Sequence, residues 1–188
     1  MTFLQDKAKI RTIHPQSWTK RMLVEIRLKT LTVAIIFSFI GLTAPIYAEN
    51  PDHVAKLKKT KQCPGCDLSG ADLSKLNLKN ANLKGANLRS ANLSESNLLQ
   101  ADLEGAILTG ANLDSANLIG ANLKNAKLNS ADLGRVKFMD ANLTGASLAN
   151  AYIHSANFTG ADMSGVILNG TQHCGYAIAP DGSGGIRC

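Results

Sequence analysis

From Cys66 the chain reads CDLSG ADLSK LNLKN ANLKG ANLRS ANLSE, and the same five-residue beat runs unbroken to Gly170. The stretch holds 21 consecutive units, with central residues Leu68, Leu73, Leu78 and onward to Leu168. Seventeen of these are Leu, and the others are Phe138, Ile153, Phe158 and Met163. Two positions earlier, 16 of 21 residues are Ala; the exceptions are Cys66, Leu76, Ser96, Val136 and Val166. Between these two sites lies Asp or Asn in 15 of the 21 units.

This period excludes the simple elements. A five-residue step on an α-helix turns a side chain by about 500°, so the Leu residues would wind around every face. On a flat strand, an odd period would send alternate Leu residues to opposite faces. Neither buries them all on one side. The chain must turn once per unit, with Ala and Leu both pointing inward. Ala suits a narrow interior, while Asn, Asp, Ser and Gly supply turn chemistry. Stacked turns of this kind make a solenoid.

The unit A-[D/N]-L-x-x, seen as ANLKG in Ala81–Gly85 and ANLKN in Ala121–Asn125, resembles the pentapeptide-repeat family. That resemblance covers 105 of the 188 residues. It implies an all-β fold, a right-handed quadrilateral β-helix with one unit per side and about five coils. At about 4.8 Å per coil, the solenoid would be roughly 25 Å long. Residues 20 apart should then stack, and Phe138 and Phe158 have that separation. Stacked rings would suit it.

With that geometry, each outward position becomes a ladder along one side. Beside Leu83, Leu103 and Leu123 run Lys84, Glu104 and Lys124, an alternation expected of a self-compensating solvated face. Beside Leu98, Leu118 and Phe138 run Leu99, Ile119 and Met139, which would expose three apolar side chains in a line. Such a contiguous stripe can mark a surface that docks a protein partner or a second copy of the chain; the alternative is packing among neighbouring rungs.

A solenoid needs caps at both ends. Asn50-Pro51-Asp52 has the form of a helix start, and Val54 and Leu57 give the lysine-rich segment after it an apolar side, so a short N-terminal helical cap is expected. The expected organisation is an export leader over 1–48, an N-terminal cap over 49–65, the solenoid over 66–170 and a C-terminal cap over 171–188. The four cysteines fall in these caps and at the first repeat. Their even number after an export signal favours disulfides. With the two pairs at opposite ends of the solenoid, Cys63–Cys66 and Cys174–Cys188 are the expected bridges. Pro64-Gly65 would place a tight turn within the first. Cys63-Pro-Gly-Cys66 also has redox-motif spacing, but no βαβ pattern accompanies it. A zinc site joining Cys63 and Cys66 to His173 and Cys174 would need the two ends to meet.

Charge locates the leader. Residues 1–48 hold seven bases and two acids, whereas residues 49–188 hold 13 bases and 12 acids. The chain's net +6 is therefore mostly the leader's, and no basic stripe is left for nucleic acid. Leu31–Leu42 (LTVAIIFSFIGL) is an apolar run preceded by Arg27 and Lys29 and followed by Pro45 and Ala48. This is the pattern of a secretory signal, with cleavage expected between Ala48 and Glu49 and a periplasmic or extracellular destination. If uncleaved, residues 31–48 would anchor the chain at a membrane, although the apolar run is short of the roughly 20 residues a span needs. Counting from Met22 gives a leader of 27 residues, so Met22 is the expected start of translation.

No catalytic constellation is visible, and neither cofactor nor metal is expected. His53, His154 and His173 fall at the cap, mid-solenoid and far end, and no nucleophile motif or phosphate loop accompanies them. Asp67, Asp72, Asp102, Asp132 and Asp162 occupy the turn-forming site of the repeat. The expected function is that of a non-catalytic, exported scaffold for protein–protein contact. An alternative comes from the resemblance: some pentapeptide-repeat proteins have acidic rods that mimic DNA and bind gyrase. Residues 66–170 carry nine acids and eight bases, too neutral for such mimicry.

Overall fold

The computed structural model describes residues 50–186. The leader, the Ala48/Glu49 cleavage site and the proposed Met22 start lie outside the described residues.

Parallel β-bridges link each unit to the one 20 residues later, from Gln62↔Asn82 through Tyr152↔Gln172. The chain therefore forms a right-handed, four-sided β-helix with one unit per side. Three backbone bonds per unit hold adjacent coils together. Leu68 N–H donates to Asn87 O at 2.7 Å, Gly70 N–H donates to Arg89 O at 2.8 Å, and Asn87 N–H donates back to Cys66 O at 2.8 Å. A further bond closes each corner, as where Ala71 N–H donates to Leu68 O at 3.1 Å. The central Leu and the Ala three residues later thus meet inside one corner. Both are buried almost throughout the solenoid.

The corner has a conformational requirement. Every fifth residue from Gly65 to Gly170 has positive φ, as the second central residue of a type II turn must. Glycine meets it freely at positions such as Gly85. Lys75, Glu95, Gln100 and Arg135 adopt the same conformation despite carrying a Cβ. The preceding Asn or Asp supports the turn with its side chain. Asp67 Oδ1, for example, accepts from Ser69 N–H at 3.2 Å and from Ser69 Oγ at 2.7 Å. The same oxygen accepts from Asn87 Nδ2 at 2.9 Å, so the amide ladder also joins coils.

The ladder begins one unit before the Leu/Ala pattern. Lys61–Gly65 forms a complete side, with Cys63 in the central inward site and fully buried. At the far end, Asn157 pairs with Ile178, an offset of 21. Thr171–Tyr176 takes up the extra residue through a short 3₁₀ turn at Cys174–Tyr176. Ala177 then returns to a buried inward position.

Helix α1 (Pro51–Thr60) covers the first coil. Asn50 Oδ1 accepts from Asp52 N–H at 3.1 Å, and Lys61 closes the other end in the left-handed conformation, its N–H donating to Leu57 O. Val54 and Leu57 are its buried residues. His53 ties the helix to the ladder, because its Nδ1 accepts the Asp67 N–H at 3.1 Å. That amide belongs to the first rung, so α1 satisfies an edge that has no preceding coil.

Candidate interaction surface

The side built on Leu98, Leu118 and Phe138 carries Leu99, Ile119 and Met139 on successive rungs. Gln100 N–H donates to Ile119 O at 3.0 Å, and Gly120 N–H donates to Met139 O at 2.9 Å. The backbone thus fixes the three at coil spacing. They are half-buried, less exposed than the sequence suggests. Lys79 and Thr159 continue the same column at either end. The exposed large hydrophobic residues lie elsewhere among the described residues, at Ile167 and Tyr176.

The neighbouring column with Lys84, Glu104 and Lys124 is polar and internally paired. Lys84 Nζ donates to Glu104 Oε2 at 2.8 Å. This hydrogen bond and the Lys84 charge hold Glu104 below its ordinary pKa, while the same bond and the Glu104 charge raise that of Lys84. Arg135 pairs similarly with Asp114 through Nε and Oδ1 at 3.1 Å. These contacts are exposed and add little to stability.

The carboxylates at the turn-forming site are engaged in the turns. Asp67, Asp72 and Asp162 lie below their ordinary pKa, chiefly because Ser69, Ser74 and Ser164 donate side-chain hydrogen bonds to them. Asp102 and Asp132 accept backbone N–H groups in the same way, from Glu104 at 3.1 Å and Gly134 at 3.0 Å. Among the described residues, no group of three or more His, Cys, Asp or Glu side chains is arranged to hold a metal.

Cys63 and Cys66 form a disulfide with Cα atoms 5.3 Å apart. They occupy the central site of one unit and the first inward site of the next, the pair that meets at every corner. Pro64 and Gly65 fill the turn between them, and Gly65 has φ +65°. At the other end, Cys174 is buried and Ile186 N–H donates to its carbonyl at 3.1 Å. Cys188 lies outside the described residues, and with it the expected Cys174–Cys188 bridge.

The histidines depart from their expected separation. His53 stays at the N-terminal cap, but the His154 and His173 ring centroids are 6.0 Å apart. Residue 173 falls on the rung above 153, so a separation of 19 in sequence becomes adjacency on the ladder. His154 is thus part of the C-terminal cluster and not an isolated mid-solenoid residue.

A family model described as pentapeptide repeats matches residues 66–105, 96–135 and 131–170, in eight copies. Among solved structures, a pentapeptide repeat protein (Rfr23) from the cyanobacterium Cyanothece 51142 shares 30% identity, covering 64% of this chain and 92% of that one, with a TM-score of 0.36. A pentapeptide repeat protein from the Arabidopsis thaliana thylakoid lumen shares 35% identity over 58% of this chain and 70% of its own, with a TM-score of 0.24. QnrB1, a plasmid-mediated fluoroquinolone resistance protein, shares 24% over 62% of this chain and 66% of its own, with a TM-score of 0.36. The search of curated proteins found no match.

Proposed function

Because the chain belongs to the pentapeptide-repeat family, we propose that it is an exported, non-catalytic scaffold whose Leu99–Ile119–Met139 stripe docks a protein partner or a second copy. The observation that carries this reading is the placement of three apolar side chains on consecutive rungs, held by the coil-to-coil backbone bonds. A surface on such a frame is ordered before binding, so little conformational entropy is lost on docking. The apolar run of the leader, residues 31–42, supports export to the periplasm or beyond the cell. DNA mimicry finds little support in a ladder of net −1 whose charges alternate along the Lys84 column.

Sedimentation velocity of the full chain, together with affinity capture from the compartment found by cell fractionation, tests this. Replacing Leu99, Ile119 and Met139 with Ser should abolish association while the circular dichroism spectrum is kept. Unchanged association with the fold intact would remove the stripe from the account. Inhibition or protection of gyrase in a supercoiling assay would favour the mimic instead.

A further inference from the structure

The near-neutral total of the solenoid and its caps conceals a separation of charge along the axis. Residues 50–90, which make α1 and the first coil and a half, hold eight bases and three acids, a net +5. Residues 91–186, the coils beyond, hold four bases and eight acids, a net −4. Because each coil takes 20 residues, position in the sequence is height on the solenoid. The N-terminal end is therefore basic and the remainder acidic.

The basic side chains surround this end and do not line one side. Lys56 and Lys59 are exposed on α1, on the face opposite the buried Val54 and Leu57, and so point away from the solenoid. Lys58 is exposed beside them. Below the helix, Lys75 and Lys79 lie on two sides of the first coil, and Lys84 and Arg89 lie on the other two sides of the second. All four are exposed. Among the described residues, ion pairs engage only two of these bases: Lys75 with Glu95 at 3.6 Å and Lys84 with Glu104 at 2.8 Å. The acids at this end are Asp52, in the first turn of α1, and Asp67 and Asp72, which accept from the Ser69 and Ser74 hydroxyls in the turns.

This distribution selects the partner. A nucleic-acid duplex lying along the solenoid would need a basic stripe up one side. Beyond the second coil each side carries a single base among the described residues: Lys124, Lys127, Arg135 or Lys137. A plane across the N-terminal end instead meets bases from α1 and from all four sides. The long-range field favours the same orientation, because an anionic surface draws this end towards it and repels the acidic coils. The sequence before α1 adds a second argument, since the apolar run Leu31–Leu42 ends eight residues before Asn50 and has the pattern of a membrane-directed signal. We propose that the N-terminal end, α1 with the first two coils, docks end-on to an anionic phospholipid bilayer, with its lysines against the headgroup phosphates. That orientation leaves the Leu99–Ile119–Met139 column in water beside the membrane, and it holds whatever that column binds.

Cosedimentation of the full chain with vesicles tests this, using phosphatidylcholine alone and phosphatidylcholine mixed in equal parts with phosphatidylglycerol. Preferential partition onto the mixed vesicles is expected. Each base near an anionic surface raises partition by about fivefold. Combining Lys56→Gln, Lys58→Gln and Lys59→Gln should therefore lower it at least tenfold. Combining Lys124→Gln, Lys127→Gln and Lys137→Gln removes the same charge from the coils beyond and should leave partition within twofold. All six lysines are exposed, so both variants keep the fold. The leader is common to both, so the difference between them reads the N-terminal end alone. At about 1 M salt, where the screening length falls to about 3 Å, that difference should vanish. Equal partition of the two variants, a difference that survives the salt, no preference for the mixed vesicles, or tighter binding to a duplex oligonucleotide than to the mixed vesicles would overturn the proposal.

Discussion

The Phe138 and Phe158 rings are stacked inside the solenoid, their centroids 5.0 Å apart and their planes inclined by 15°. Both are fully buried. They occupy the site that Leu holds in most units, on consecutive rungs of one side. The pair is sized for each other, and a single replacement leaves the second ring beside a void. Phe158→Ala should cost about 3–5 kcal/mol, whereas Phe158→Leu, which restores the common residue, should cost less. Urea denaturation of the two variants measures the difference.

Corner glycines should differ according to their surroundings. A Cβ at Gly85 would meet no atom within 4 Å, so Gly85→Ala pays only for its left-handed backbone, about 1 kcal/mol. At Gly160 the added Cβ would also press on the Asp140 carboxylate. Gly160→Ala should therefore be the more destabilising of the two, as judged by their thermal midpoints.

Acid should weaken the turns. Asp67, Asp72 and Asp162 have folded pKa values below the ordinary 3.8 of the unfolded chain. Their ionised forms are thus favoured by folding, and that stabilisation is present in full above the unfolded value. It declines as pH falls below about 4 and through the lower folded values. Replacing all three by Asn, which retains an acceptor for the turn N–H, should flatten the acid limb of a stability–pH curve without changing its neutral plateau much.

The Cys63–Cys66 bridge closes a very short loop, so its effect should be modest. Replacing both residues by Ala should lower stability by about 2 kcal/mol. Hydrogen exchange should show the loss concentrated in α1 and the first coil, because Leu57 and Cys63 belong to the same core.

Much of the solenoid was legible in the sequence, since Leu and Ala at fixed positions leave one way to bury both. The first side was not, because Lys61 and Cys63 stand where Ala and Leu usually do and only the bridge from Gln62 to Asn82 reveals it. The left-handed corner position was equally obscured: Lys75, Glu95 and Arg135 give no compositional hint of positive φ. The columns of outward residues could be written down from the 20-residue stacking, which is why Leu99, Ile119 and Met139 were found. Their half-burial could not, as it depends on how neighbouring side chains lean. The approach of His173 to His154 was missed for another reason: His173 reaches it beside a turn that departs from the repeat.

The scaffold reading is tested most directly by placing a photo-crosslinking amino acid at position 119 in the full chain and irradiating intact cells. The same label at position 109, on the opposite side of the coil, serves as the comparison. The account predicts a discrete protein adduct, with a partner or a second copy, from position 119 and none from position 109. No adduct at 119, or the same adduct from both positions, would contradict it.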